Sequence, residues 1–514
     1  TSADANTAIG RSSLCSNTTG DCNTGLGMNA LLGNTEGFGN VAVGRSSMVA
    51  NTTGDDNVAV GQNSLVSNTT ANNNTAVGTC SLASNTTGAN NIAVGRCALA
   101  TNSTASANTA VGQGALKSNT TGATNTAVGC DALDSNTTGS ENVIIGREAG
   151  CSNTTGNCNT ALGARSLKSN TEGFGNIAIG YHALCTNTTA SVNTAVGFCA
   201  MQSNTTGDSN TAVGTNALQE NTTGNHNTTV GRSSLVKNTT GLCNSAVGSN
   251  ALACNTEGCF NSAVGQNALA ANTTADRNTA VGMSALLSTT TGCCNSALGQ
   301  GTLAANSTGD NNVAVGTAAL STNTTADNNT AVGFKSLEAN TTGAGNVAVG
   351  ATTGDAITTG SNNTALGFEA AGKLTTGGDN VAVGRAALLD STTHSGNVAI
   401  GVEALENNTA DENVAVGKSA LRANTTASGH TAVGNSAALN TTGAQNTAFG
   451  HRALCTNTSG QCNTALGKSA LCSNTSANYN TAVGLASMLA NTEGHSNTAV
   501  GLYSMACNTT GDAN

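Results

Sequence analysis

The sequence predicts an all-β fold, a parallel β-solenoid or β-roll, from its repeat period and its composition. The Asn that begins N-T-A-V-G recurs from Asn6 to Asn514 in 28 steps of 17 residues and two of 16, which gives thirty coils. A fixed period is typical of solenoids, in which each coil buries apolar side chains against its neighbours. Proline and tryptophan are absent, and aromatic residues make up only 2% of the chain. An ordinary core of large side chains is therefore excluded.

Residues 1–514 are predicted to form one continuous array without separate capping coils. The chain opens and closes inside a coil, so we expect it to be a fragment of a longer chain. Thirty coils that each rise about 4.8 Å would extend for about 145 Å. Exposed coil ends are open edges, so end-to-end continuation into a filament is an expected alternative. No run of about 18 apolar residues is present, and no membrane span is predicted.

We number the positions of a coil as columns 1 to 17, with Asn6 in column 1. Column 5 is Gly in all thirty coils, which indicates a backbone bend that no side chain fits. Column 4 is Val, Ile, Leu or Phe, and column 9 is usually Leu. Column 2 exchanges Thr for Val or Ile in ten coils, as a half-buried strand position tolerates. Columns 2, 4 and 9 are therefore predicted to face the interior.

Column 3, on the opposite face of the predicted strand, is Ala in 27 of the thirty coils. A face held to small residues indicates that another backbone approaches it closely. We expect this face to contact another subunit, while tight packing inside the coil itself is the alternative. The residues that represent the predicted oligomer face are Ala110, Ala212, Ala280 and Ala331.

The motif N-T-T-G in columns 12 to 15 is predicted to turn the chain. Cysteines placed symmetrically about this turn predict four disulfides across a hairpin-like bend. A fifth bridge is expected between column 7 of adjacent coils, where stacking brings two cysteines into range. Such bridges would imply an oxidising, extracellular setting. The predicted pairs are Cys15 with Cys22, Cys151 with Cys158, Cys455 with Cys462, Cys254 with Cys259, and Cys80 with Cys97.

The motif N-T-A-V-G-x-x-A-L at Asn210 to Leu218 resembles the N-S-x-A-I-G-x-x-S unit of trimeric autotransporter adhesin heads. It is also similar to repeat arrays in fibre proteins of phages and large viruses. The resemblance covers essentially the whole chain through a short motif. It implies a left-handed parallel β-roll, three chains packed through their small-residue faces, and a role in surface attachment. This coil is longer than the adhesin unit, because it adds the N-T-T-G turn.

Catalysis is not predicted, and neither is a cofactor or a resident metal. The six histidines lie in unrelated columns, so no metal site or His-based nucleophile system can be drawn. The glycines mark bends, and no Gly-Lys-Ser/Thr follows them. A net charge of -10 argues against nucleic acid as a partner. Calcium at Asp55 and Asp56, or at Asp310 to Asn312, is a minor alternative.

The turns also suggest a modification, because 21 of them carry Asn-Thr/Ser-Thr/Ser, a form of the Asn-x-Ser/Thr motif, twenty at column 12 and one at the preceding position. Asn and Thr are good turn formers in any case, so the motif arises without selection for glycans. Our candidates for N-linked glycosylation are Asn17, Asn51, Asn68, Asn85, Asn119, Asn136, Asn153, Asn187, Asn204, Asn221, Asn238, Asn272, Asn323, Asn340, Asn424, Asn440, Asn457, Asn474 and Asn508.

Column 13 is Thr in 28 of the thirty coils. A regular Thr array could bind ice or a mineral surface, could carry O-linked glycans, or could form a structural ladder that holds the turn. Taken together, the sequence predicts an extracellular structural fibre, filament or adhesin-like stalk at a cell or virion surface. Its expected partners are other copies of itself, as a homotrimer or filament, and a host-surface glycan or protein. A surface-binding solenoid that acts through the Thr ladder is the alternative function.

Overall fold

The computed structural model describes residues 3–514, and it confirms the all-β parallel β-solenoid. Thirty strands of three residues each occupy columns 2 to 4 of the thirty coils. Residues 3–514 contain no helix. The chain divides into two compact units, residues 3–260 and Asn261–Asn514, each with fifteen strands.

The first unit contains strands β1 to β15, in chain order Thr7–Ile9, Thr24–Leu26, Val41–Val43, Val58–Val60, Thr75–Val77, Ile92–Val94, Thr109–Val111, Thr126–Val128, Val143–Ile145, Thr160–Leu162, Ile177–Ile179, Thr194–Val196, Thr211–Val213, Thr228–Val230 and Ser245–Val247. The second unit contains β16 to β30, in chain order Ser262–Val264, Thr279–Val281, Ser296–Leu298, Val313–Val315, Thr330–Val332, Val347–Val349, Thr364–Leu366, Val381–Val383, Val398–Ile400, Val414–Val416, Thr431–Val433, Thr447–Phe449, Thr464–Leu466, Thr481–Val483 and Thr498–Val500.

Within each unit, successive strands pair in parallel with like columns side by side. In β3 and β4, for example, Val41 pairs with Val58 and Val43 pairs with Val60. Backbone hydrogen bonds between adjacent coils continue well beyond the strands. The N–H of Leu65 donates to the carbonyl of Ser81 at 3.0 Å, and that of Cys97 donates to the carbonyl of Thr79 at 3.0 Å. Each coil is thus bonded to its neighbours through most of its circumference.

The column 5 glycine makes the bend that its uniformity predicts. Gly61 has a φ of +135°, and a Cβ added there would lie 2.6 Å from the carbonyl oxygen of Gly78 in the next coil. Three further columns, 7, 9 and 17, hold non-glycine residues at positive φ, such as Ser12, Leu14 and Cys22. The N-T-T-G turn needs no positive φ, because residues 17–20 are absent from this set. The residues at positive φ therefore lie outside the N-T-T-G turn that the sequence predicts.

The phase of the strands is the reverse of the one predicted from the sequence. The column 3 residue is buried in nearly every strand, while columns 2 and 4 are exposed or half-buried. Only the column 9 part of the predicted interior is confirmed, since Leu65, Leu82 and Leu99 are fully buried. Leu from column 9 needs most of the room beside the inner sheet face, and where column 3 carries the larger Ile144 the column 9 residue is Gly150. Alanine in column 3 leaves that room.

Candidate functional site

The predicted oligomer face lies inside the solenoid. Ala110, Ala212, Ala280 and Ala331 are all fully buried in a single chain. Gly25, a rare exception in this column, shows what the alanines contact: a Cβ added there would lie 2.4 Å from Ser13 Oγ and 3.5 Å from Leu14 Cγ. The approaching group is therefore the opposite wall of the same solenoid, contributed here by the preceding coil. The prediction that column 3 contacts another subunit is wrong.

The surface that faces outward is formed by columns 2 and 4, and we call it the sheet face. Column 4 is apolar in all thirty coils, and column 2 is Thr in 17, Ser in three, and Val or Ile in ten. Val94 in column 4 is 36% exposed and Val264 is 43% exposed, even though a neighbouring coil on each side covers part of the side chain. Contiguous exposed apolar surface on a soluble protein commonly marks an interaction site. The sheet face is the candidate functional surface of each unit.

The column 12 asparagines, our predicted glycan acceptors, form a ladder inside the solenoid. Asn51 Nδ2 donates to Asn34 Oδ1 at 2.7 Å and to the carbonyl of Gly54 at 3.0 Å. Sixteen of the nineteen candidates are at most 2% exposed; they are Asn51, Asn68, Asn85, Asn119, Asn136, Asn153, Asn187, Asn204, Asn221, Asn238, Asn272, Asn323, Asn340, Asn424, Asn457 and Asn474. The premise that these side chains are exposed is wrong, because the turn directs them inward.

Three of the candidates are different. Asn17 and Asn508 are half-buried, and Asn440 is exposed because its coil has 16 residues and places it in column 11. The structure also exposes three Asn-x-Thr motifs that the turn-based search missed, at Asn73, Asn328 and Asn362 in column 17. The run N-N-T at each of these positions already indicates an Asn-x-Thr motif that begins one residue before column 1. The exposed asparagine is the first residue of that run, since the second belongs to column 1 and is buried.

Column 1 forms a second buried asparagine ladder. Asn40 Oδ1 accepts a hydrogen bond from the N–H of Asn57 at 3.0 Å, and Asn40 Nδ2 donates to the carbonyl of Gly54 at 2.7 Å. The carbonyl of Gly54 thus accepts bonds from both ladders, through Asn40 and Asn51. Buried amide groups are costly unless they are satisfied in this way. The two ladders fix the turn to the strand of the same coil.

The column 13 threonines form the structural ladder that was one of the three alternatives. Thr52 Oγ1 donates to the carbonyl of Thr69 at 3.0 Å, and the pattern repeats along the column. The serines that replace Thr do the same, since Ser103 Oγ donates to the carbonyl of Thr120 at 3.2 Å. These hydroxyl protons are already used inside the protein. Water or a surface would have to compete with a backbone carbonyl for them.

No disulfide joins any two of the 18 cysteines, all of which lie within residues 3–514, and the structure does not bring the predicted hairpin pairs together. The predicted pairs require columns 10 and 17, or columns 11 and 16, to face each other across a hairpin. The bend is not a hairpin, so these columns do not face each other. Backbone groups on its two sides bond to neighbouring coils: the N–H of Ser16 donates to the carbonyl of Leu32, and that of Cys22 to the carbonyl of Asp4. The pairs that this concerns are Cys15 with Cys22, Cys151 with Cys158, Cys455 with Cys462, and Cys254 with Cys259.

Cysteines that share a column in adjacent coils are a separate case from those on the two sides of the bend. Cys80 and Cys97 occupy the same column in adjacent coils, but the structure does not bring them to disulfide distance either, so the fifth predicted bridge is not formed. In column 10, Cys455 hydrogen-bonds to Cys472 of the next coil. That bond and the nearby Arg452 guanidinium lower the pKa of the Cys455 thiol to about 6. The sequence offered no partner for Cys472, because the symmetric-turn argument paired Cys455 within its own coil.

Acidic side chains serve the backbone rather than a metal site. Asp55 Oδ1 accepts a hydrogen bond from the N–H of Phe38 at 3.0 Å, and Asp310 Oδ1 accepts one from the N–H of Cys293 at 2.6 Å. Among residues 3–514, no group of three or more His, Cys, Asp or Glu side chains could hold a metal ion. The calcium alternative at these residues therefore has no assembled ligand set within the described chain.

Two charged clusters lie on the surface. Glu148 contacts Arg147, Arg165 and Lys168, and hydrogen bonds from Lys168 and Arg165 hold the pKa of its carboxyl below the usual value. A hydrogen bond from Arg385 likewise lowers the pKa of Glu403. Exposed ion pairs of this kind contribute little to stability. Lowered carboxyl pKa values do not suit general acid or base catalysis near neutral pH.

No protein-family model matches the chain, and no curated protein matches it either. No helix within residues 3–514 is long and apolar enough to cross a membrane. The likeness to adhesin heads and fibre proteins therefore rests on the repeat motif alone.

Proposed function

We propose that the chain is a non-enzymatic structural module, a load-bearing element of an extracellular fibre or adhesin-like stalk. The observation that carries the proposal is the set of hydrogen-bonded ladders that runs from coil to coil. The strand bonds, two buried asparagine ladders and the Thr ladder all lie between consecutive coils. Tension along the stack would load these bonds together, and neighbouring coils of a repeat array support one another.

Single-molecule pulling on a chain tethered at its two ends tests this role. We expect force peaks in which each event releases a whole number of coils, about 60 Å of contour per coil. The variant Asn51→Ala, which interrupts one ladder, should lower the force of the first event. An exposed change in the same turn, Thr53→Ala, should not. Smooth extension of the unaltered chain without force peaks would overturn the structural role.

The extracellular location and the glycans belong to the same proposal. Exposed Asn440, Asn73, Asn328 and Asn362 offer accessible acceptor nitrogens, whereas the buried column 12 asparagines do not. Peptide mapping of protein from its natural source should find sugar only at exposed positions. Glycans on buried column 12 asparagines would contradict the fold. A sugar-free chain found inside the cell would contradict the location.

A further inference from the structure

The sheet face excludes charge completely, although it is exposed. Its sixty positions contain none of the 17 basic and 27 acidic residues of the chain. Every one of these positions is Thr, Ser, Val, Ile, Leu or Phe. Charged side chains occur freely in other exposed columns of the same coils, so exposure alone does not explain the exclusion. A surface kept free of charge over thirty coils suits burial against a partner.

The two edges of the sheet face carry opposite charge. Column 6, two residues after the face, has eight Lys or Arg and no Asp or Glu. Column 17, two residues before the face, has four Asp or Glu and a single basic residue, Arg277. The burial pattern alternates from column 17 to column 6, so columns 17, 2, 4 and 6 all face outward. The face is thus an uncharged strip, apolar along column 4, with basic residues along one border and a few acidic residues along the other.

In three coils, which we call charged rows, the strand has an acidic residue at one border and a basic residue at the other. Glu141 and Arg147 flank β9, Asp379 and Arg385 flank β23, and Glu412 and Lys418 flank β25. All six side chains belong to exposed residues. Arg147 and Arg385 each contact a glutamate of their own chain, yet their side chains remain 57% and 54% exposed. The charges of such a row are complementary to those of an identical row whose strand runs in the opposite direction.

We propose that the sheet face of each unit binds the sheet face of a second copy of this chain, with strands running in opposite directions across the interface. A twofold axis parallel to the stacking direction generates this arrangement. It places the acidic border of one copy beside the basic border of the other. Glu412 then lies beside Lys418 of the second copy, and the same pair forms again by symmetry. The apolar strips pack together between the two borders.

A second copy fits this strip better than an unrelated partner for two reasons. Side chains along the strip repeat at about 4.8 Å, and an identical strip has the same pitch, so the two can interdigitate over their whole length. The area also suffices. Three strand residues span about 10 Å, so fifteen coils provide about 700 Å² per unit, close to the roughly 800 Å² that each partner buries in a stable complex.

This pairing rests on the proposed structural role but is tested separately from it, because pulling experiments measure one chain and association measurements require two. Sedimentation equilibrium of the unaltered protein comes first. We expect a particle of two chains of 49.9 kDa. A single-chain mass at every concentration up to the solubility limit would overturn the proposal. If that monomer shapes ice crystals, the sheet face is a surface-binding face instead.

The apolar strip is tested by Val213→Lys, with Thr206→Lys as the matched control on the exposed turn. We expect the sheet-face variant to raise the dissociation constant at least about tenfold and the control to leave it unchanged. If Val213→Lys fails to fold, Val213→Thr keeps a β-branched side chain of the same size and should still weaken association. Equal effects of the sheet-face and turn variants would contradict the interface.

The direction of the strands is tested by charge reversal in one row. Lys418→Glu places like charges together at both symmetric contacts and should weaken association, whereas the exposed control Lys237→Glu in column 11 should not. The double variant Glu412→Lys with Lys418→Glu exchanges the two borders of that row. It should restore the dissociation constant to within about twofold. Failure of the exchange to restore association would exclude the reversed-strand arrangement.

Discussion

The 17-residue coils and the two 16-residue coils share their strand register and differ in length at the turn. In a 17-residue coil, the N–H groups of Thr52 and Thr53 both donate to the carbonyl of Thr69. In the first 16-residue coil, Thr409 alone donates to the carbonyl of Thr425. The strands on either side keep their register, since Val398 still pairs with Val414. The deletion of one residue therefore changes the turn and leaves the register of the strands unchanged.

The second 16-residue coil departs further from the repeat. His430 replaces the column 1 asparagine, Ala438 replaces Leu in column 9, and Thr441 replaces the column 12 asparagine. Thr431 nevertheless pairs with Thr447 in register. Strand pairing and the column 5 glycine therefore persist where both asparagine ladders are interrupted. The ladders add stability to an architecture that the backbone bonds already define.

The largest expected effect comes from the one feature that both coil lengths share. Gly61→Ala adds a methyl group 2.6 Å from the Gly78 oxygen, at a φ of +135°. We expect a loss of more than about 3 kcal/mol in the free energy of unfolding, measured by denaturant titration. Gly54→Ala is the control: a Cβ there would also lie 2.5 Å from a carbonyl oxygen, but Gly54 is not at positive φ, and the equivalent column 15 position is already alanine at Ala71. Equal losses for both variants would mean that column 5 is not special.

The ladders are tested next. Asn51→Ala removes the side chain that bonds to Asn34 and to the Gly54 carbonyl, and Asn68 loses its bond to Asn51 Oδ1. Leaving these buried groups unsatisfied should cost about 2 to 3 kcal/mol. The exposed Asn440→Ala, in a coil that lacks the column 12 asparagine, should cost less than about 0.5 kcal/mol. Similar thermal stability of both variants would show that the ladder contributes little.

His430 should make stability depend on pH. Burial lowers its pKa from 6.5 to about 4, and its Nδ1 accepts a bond from the N–H of Asn446 at 3.2 Å. Between pH 6.5 and 4 the unfolded chain binds a proton that the folded chain does not, so stability falls as the pH drops through this range. The loss is about 3 kcal/mol when complete.

The matched variant His430→Asn restores the residue that column 1 has elsewhere. We expect it to reduce the dependence of stability on pH between 6.5 and 4, because the buried imidazole is gone. Denaturant midpoints measured across this range compare the two proteins directly. Parallel pH profiles for His430→Asn and the unaltered chain would contradict the assignment.

The smallest expected effect concerns backbone strain. Val192 in column 17 has a φ of +59°, which a β-branched residue rarely adopts. Column 17 is glycine in other coils, such as Gly175. Val192→Gly should therefore stabilise the chain by about 0.5 to 1 kcal/mol, measured by thermal unfolding. Destabilisation would show that packing of the half-exposed valine outweighs the strain.

Much of the fold could be predicted from the repeat. The period places every strand, and the invariant column 5 glycine and the leucines of column 9 have the roles that their columns indicate. The candidate site could not be predicted in the same way. Strand side chains alternate with a period of two, and a T-A-V strand is consistent with either Ala or Thr and Val facing inward. By size and hydrophobicity the Val and Thr positions are the expected interior, which is why the prediction placed them there.

The same ambiguity explains the asparagines and the cysteines. An N-T-T-G motif indicates a turn but not whether its first side chain points inward, as Asn51 does, or outward, as Asn440 does. Symmetric columns predicted facing cysteines, but only the path of the backbone decides which columns meet. Cys455 lies next to Cys472 because like columns stack.

The sequence by itself determined the architecture of this protein: thirty coils, their period, and the absence of a conventional core. Tertiary structure alone decided which side of each strand is buried. The physical reason is space, because the leucines of column 9 fill the interior beside column 3, and where column 3 carries the larger Ile144 the column 9 residue is Gly150. That choice turns the valines and threonines outward, and it makes the charge-free sheet face the surface through which the proposed pairing takes place.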